Sequence, residues 1–85
     1  MFPRVSQAYP IDNYQVKIVF DNKEIKVFDT KPYLNQGIFK ELKDQKYFDS
    51  VSVSDGTIQW INGQDFCPDT LYIESKNISE NKTVV

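Results

Sequence analysis

The segment Asp55–Tyr72, DGTIQWINGQDFCPDTLY, constrains the fold more than any other stretch of the chain. Asp55-Gly56 is a strong hairpin signal, because a tight two-residue turn needs positive φ angles that Asp and Gly tolerate. Thr57–Ile61 reads as the returning strand, with Ile58 and the single tryptophan, Trp60, on one face. Asn62-Gly63 makes a second turn. Pro68 followed by Asp69 opens a helix, since proline suits the first helical position and an acid suits the positive end of the helix dipole. So dense a set of instructions leaves little conformational choice, and a recognition surface is expected here.

The N-terminal third reads as β-structure. Arg4–Tyr9 is a short strand, expected to close at Pro10. Asn13–Phe20 alternates, with Tyr14, Val16, Ile18 and Phe20 on one face and Gln15, Lys17 and Val19 on the other, the period of a half-buried strand. Asp21-Asn22-Lys23 breaks the pattern, and Glu24–Asp29 resumes it with Ile25 and Val27 on one face. The pair forms a hairpin, and its loop is expected to be bulged or long because Lys23 is a poor turn residue.

Pro32–Leu34 suits a single turn. Gln36–Asp44 reads as a helix with Ile38, Phe39 and Leu42 inward and Lys40, Glu41 and Lys43 outward. Tyr47 and Phe48 follow as an aromatic clamp. Val51 and Val53 alternate with serines in a strand that precedes the Asp55-Gly56 turn. The second helix extends to about Lys76, and residues 77–85 read as a flexible polar tail. The prediction is a single α+β domain over residues 1–76, in the order β-β-β-α-β-β-α. Its mostly antiparallel sheet has about five short strands, and two short helices pack on it.

A chain of 85 residues buries only roughly 60–65% of its unfolded surface, so one thin core is expected. Aromatic residues, 14% of the chain, offset this by bringing large area per side chain. The net charge of −2 argues against nucleic acid as a partner, because non-specific binding needs a basic surface. The single cysteine, Cys67, cannot form an internal disulfide, which points to a reducing, cytoplasmic setting. No apolar run is long enough for a signal core or a membrane span.

The sequence holds no histidine. The commonest general base and metal ligand is therefore missing, along with any His-activated Ser or Cys nucleophile. Cys67 stands at the mouth of the second helix, where a thiol pKa can fall, but no basic residue or second cysteine is near. It is read as a small buried apolar side chain. Asp65 and Asp69 fit capping and turn chemistry better than a carboxylate pair for a cation or for acid–base work. Their spacing does not match a calcium loop. Lys40, Lys43 and Lys46 are interleaved with Glu41 and Asp44, which fits a solvated helix face rather than a phosphate site.

Trp60, Phe66 and Tyr72 form an aromatic set beside Asp65 and Asp69. Aromatics rimmed by acids anchor protein partners, particularly basic ones. So small a domain also needs its aromatics inside. The two readings coexist if Phe66 or Tyr72 is half-buried. The expected function is a non-enzymatic protein-binding domain without a cofactor, contacting a small basic protein through Trp60, Asp65, Phe66, Asp69 and Tyr72. Such an interface would cover about 1,200–2,000 Å². The alternatives are a nucleic-acid-associated regulator using the lysine face, and a small-ligand or metal-dependent protein using Asp65 and Asp69. An edge strand leaves a homodimer open.

The segments MFPRV, YQVKIVFDNKEIKVFD, KPYLNQGIFKELKD, GTIQW and NGQDFCPDTLY together resemble the bacterial family called domain of unknown function 2442, over residues 1 to about 75. GIFKELKD and the run from Trp60 to Tyr72 carry most of the specificity. The chain departs from the family pattern at Ile61, where a proline often follows the tryptophan, and at Asn22-Lys23, where Asn-Gly is frequent. Both departures concern turn geometry. The resemblance implies an α+β fold and an antitoxin role in a type II toxin–antitoxin pair, with the partner encoded nearby. It supplies no catalytic residues. Some relatives add a helix-turn-helix extension, which the residues here do not include.

Overall fold

The structure is a computed structural model and describes residues 2–77. In chain order its strands are β1 (Val5–Ile11), β2 (Gln15–Phe20), β3 (Ile25–Asp29), β4 (Ser52–Ser54), β5 (Thr57–Gln59) and β6 (Lys76–Asn77). Its helices are 3-10 segments at Lys31–Tyr33 and Gly37–Lys43, α1 (Gln45–Phe48) and α2 (Pro68–Glu74). The expected α+β architecture is present, but the single sheet is divided. β1-β2-β3-β6 form one four-stranded antiparallel sheet, and β4-β5 form a separate two-stranded hairpin.

The alternation along β2 sets the core. Val16, Ile18 and Phe20 point inward, and Phe28 lies opposite Val16 on β3. Leu42, Phe48, Ile58, Trp60, Phe66 and Leu71 close over them. Phe66 is central: its ring centroid lies 4.8 Å from Phe28, 4.9 Å from Phe39 and 6.2 Å from Trp60. Each such ring contributes about 1.5–3 kcal/mol by burial, and edge-to-face or stacked ring pairs of this kind add about 0.5–1.5 kcal/mol.

Several boundaries differ from the sequence expectation. Pro10 does not end the first strand; it pairs with Val16, and β1 runs on to Ile11. β1 is an edge strand, where a missing N–H can face away from the ladder. β2 begins at Gln15 because Asn13 and Tyr14 form a left-handed turn, with φ of 63° and 58°. The β2–β3 loop is bulged, as expected. Lys23 N–H donates to the Phe20 carbonyl and Phe20 N–H to the Glu24 carbonyl, both at 2.9 Å, with Lys23 at φ 76°.

The expected helix over residues 36–44 is a 3-10 helix, Gly37–Lys43. Asp44 turns extended, and its carboxylate accepts the Lys46 N–H at 3.1 Å to cap α1. Local bonding of this kind competes with helix continuation. α2 ends at Glu74 rather than near Lys76, because Ser75 turns extended while its hydroxyl donates to the Leu71 carbonyl. Lys76–Asn77 then pairs with β3, so Asn77 belongs to a strand rather than to a tail. The rest of the expected tail, residues 78–85, lies outside the described residues.

Candidate interaction surface

The residues expected to form a partner surface are divided by the fold. Trp60 is 1% exposed, and its indole Nε1 donates to the Phe48 carbonyl at 2.9 Å. Phe66 is buried among the core rings. Both are core residues, the alternative that the small size of the chain had suggested. Asp65 and Asp69 are exposed. Neither caps α2, whose N-cap is Cys67 with no side-chain capping bond; Asp69 instead lies in the first turn. Asp65 makes an isolated backbone bridge to Gln59.

Tyr72 is half-buried and heavily engaged. Its ring lies 5.3 Å from Phe2 and 5.1 Å from Phe20. Lys26 Nζ sits 3.8 Å over the ring centroid and donates to the Tyr72 carbonyl at 2.8 Å. The Tyr72 hydroxyl donates to Glu24. This bond, helped by Asn22, holds the Glu24 carboxyl below its ordinary range, and the same bond raises the phenol of Tyr72.

Cys67 is exposed, not buried as expected. Preceding Pro68, it holds an extended backbone, with φ −63° and ψ 133°. Phe66 takes the interior position and Cys67 is left outside.

A buried residue not singled out in the sequence organises the same loop. Gln64 is fully buried. Its Oε1 accepts from the Tyr47 hydroxyl at 2.6 Å, and its Nε2 donates to the Ile38 carbonyl at 2.8 Å and to Glu41 Oε1 at 2.7 Å. Asn62 adds bonds to Glu41 Oε2 and from its own N–H to the Tyr47 hydroxyl, both at 2.9 Å. Gly63, at φ 100°, lets the turn close so that Gln64 points inward. Among the described residues, no buried side-chain N or O lacks a partner, so this network holds the loop in place. The only sequence signal was position: a polar residue directly after an Asn-Gly turn and two residues before a core phenylalanine.

The opposite face of the four-stranded sheet is built differently. Cross-strand partners share a face. The register therefore places Gln7–Val19–Ile25, Tyr9–Lys17–Val27–Lys76 and Ile11–Gln15–Asp29 in three rows on the side away from Val16, Ile18 and Phe28. Tyr9 is 46% exposed, and Ile11 and Ile25 are each 37% exposed. Val19 and Val27 are half-buried between them. Lys17 Nζ lies 5.7 Å from the Tyr9 ring centroid. Among the described residues neither Lys17 nor Lys76 pairs with a carboxylate; the one ion pair near the face joins Asp29 to Lys31 at 3.1 Å. Outward-facing positions of a one-sided antiparallel sheet are ordinarily polar. Five apolar or aromatic side chains there are the departure from that rule.

An open depression of about 470 Å³ lies beside this face, lined by Pro10, Ile11, Asp12, Gln45 and Asp49. Its Gln45 amide is already bonded to Asp49 Oδ1 at 2.8 Å. Among the described residues no group of three Cys, Asp or Glu side chains could hold a metal ion. No described helix is long and apolar enough to cross a membrane. Lys40, Lys43 and Lys46 are all exposed, the first two on the 3-10 helix and the last on α1.

No curated protein and no solved structure matches the chain. One family profile matches residues 5–77, nearly the whole of the described structure. The chain therefore belongs to the family described as "Protein of unknown function (DUF2442)".

Proposed function

We propose that this chain is a non-enzymatic protein-binding domain that works as an antitoxin-like cover for a small protein encoded beside it. The observation that carries the reading is the sheet face that the described residues leave open, where Tyr9, Ile11 and Ile25 are partly exposed around Val19 and Val27. Contiguous apolar surface of this kind marks an interaction site. A flat sheet face suits steric cover of a partner better than capture of a small molecule, which needs a concave, enclosed pocket. The polar groups of the β5–α2 loop support the same reading, because their hydrogen bonds are spent on holding the fold.

The test is co-expression with the product of the adjacent reading frame, followed by size-exclusion chromatography. Co-elution is expected, and it should be lost when Tyr9 and Ile25 are both replaced by serine. Separate elution of the unmodified pair at micromolar concentration would remove the antitoxin reading.

A further inference from the structure

We propose that the element docking on the uncovered sheet face is acidic and amphipathic, with carboxylates at its centre and apolar side chains around them. The inference rests on the reading of that face as the contact surface, and it names the partner's chemistry. The net charge of −2 suggests a basic partner when the chain is taken as a whole. The local arrangement points the other way.

The middle row of the face, Tyr9–Lys17–Val27–Lys76, carries two lysines and no acid. Lys17 and Lys76 lie two strands apart, about 10 Å by strand spacing. The only carboxylate in the three rows is Asp29, at the rim and neutralised by Lys31 at 3.1 Å. The exposed acids Asp65 and Asp69 belong to the β5–α2 loop and α2, on the core-facing layer of the molecule. Covering the apolar side chains removes water from the lysines among them. An ammonium buried without a counter-charge is costly, so the covering surface must supply carboxylates.

A second copy docking face to face would bring four lysines into one interface with Asp29, already paired with Lys31, as the only acid of these rows on each side, and such an excess of like charge is disfavoured. Single-stranded nucleic acid needs successive aromatic platforms in a basic groove. This face offers one exposed ring, Tyr9, among isoleucine and valine side chains.

The test is an amide-shift titration of the ¹⁵N-labelled full chain with three probes. These are an amphipathic peptide built of leucine and glutamate, its leucine and lysine counterpart, and oligothymidylate. The leucine–glutamate peptide is expected to shift Tyr9, Lys17, Val27 and Lys76. The K17E/K76E variant should bind it at least about tenfold more weakly. The neutral K17Q/K76Q variant, with the same fold by its amide spectrum, should fall between.

Preference for the leucine–lysine peptide, shifts confined to Asp65 and Asp69, shifts with oligothymidylate, or self-association through this face would each overturn the proposal, as would silence towards all three probes. Failure of co-elution with the adjacent product would leave the peptide result standing. Preference for the basic peptide on this same face would reverse the charge assignment while leaving the contact surface in place.

Discussion

The Tyr47 hydroxyl donates to Gln64 Oε1 at 2.6 Å, and this bond joins α1 to the loop that leads into α2. Gln64 also holds the 3-10 helix through the Ile38 carbonyl and Glu41. A single amide thus ties the adjacent 3-10 helix and α1 to a loop that follows them at sequence separations of 17 to 26 residues. Removing one partner from a buried hydrogen-bonded set leaves the others unsatisfied.

Gln64→Leu is expected to destabilise the domain by about 1–3 kcal/mol, because the part-buried Tyr47 hydroxyl, Ile38 carbonyl and Glu41 carboxylate all lose this partner. Gln64→Glu should do no better, because it sets a second carboxylate at the position from which Nε2 now bonds Glu41 at 2.7 Å. Asn62→Ala, at an exposed position, should cost only about 0.5–1.5 kcal/mol. Urea unfolding followed by the fluorescence of buried Trp60 measures all three. A Gln64→Leu loss no larger than that of Asn62→Ala would show that the network carries little.

Lys23 sits at φ 76° with its side chain exposed. A left-handed conformation costs a non-glycine residue about 1–2 kcal/mol. Glycine avoids that cost but loses more chain entropy on folding, about 0.5–1 kcal/mol. Lys23→Gly is therefore expected to raise stability by about 0.5–1 kcal/mol, seen as a higher urea midpoint with unchanged slope. Tyr14, at φ 58°, provides the contrast. Its hydroxyl donates to the Lys43 carbonyl at 2.6 Å, and its ring meets Phe48 edge-on at 5.5 Å. Tyr14→Gly should lower stability, because packing and a hydrogen bond outweigh the relief of strain.

How much of this was legible depends on whether the instruction was local. Asp55-Gly56 takes φ values of 53° and 79° in the turn its sequence announces. The alternation of Val16, Ile18 and Phe20 identifies the buried face of β2 directly. Gln64 was not legible, since Ile38, Glu41 and Tyr47 come to it only through the tertiary fold. β6 is two residues long, too short to show a period. Cys67 looked buried because cysteine usually is, yet the interior position beside it was taken by Phe66. The outer sheet face needed the register: Tyr9, Lys17 and Val27 form a row only once three strands are aligned.

Glu24 and Tyr72 give the acid side of stability a specific source. The Tyr72 hydroxyl, then the Asn22 amide at 2.7 Å, hold the Glu24 carboxyl below its ordinary value of 4.5. A carboxyl lowered in the fold contributes stability that is complete above the unfolded value and is lost as pH falls through the lower, folded one. Tyr72→Phe removes the larger cause. The stability difference between neutral pH and the region below 4.5 is expected to be smaller in that variant than in the parent. An equal difference in the two proteins would show that Glu24 gains nothing from the phenol.

The alkaline side depends on Tyr33. Its hydroxyl donates to Glu74 Oε1 at 2.5 Å, joining the first 3-10 segment to the end of α2. This bond, followed by partial burial, raises the phenol from 10.0 to about 12. Because the folded pKa lies above the unfolded one, the stabilisation is fully present below pH 10 and is lost as pH rises from there through about 12. The comparison is a difference between two proteins, so that every group they share cancels. Tyr33→Phe should be less stable than the parent below pH 10, and the gap should narrow as pH climbs towards about 12. Glu74→Gln should flatten that pH dependence, since the Tyr33 hydroxyl loses its carboxylate acceptor and a neutral amide no longer repels the phenolate. Denaturant unfolding across this pH series measures both. A gap that stays constant would mean that Tyr33 stabilises the fold through the packing of its ring, 5.1 Å from Phe66, and not through its bond to Glu74.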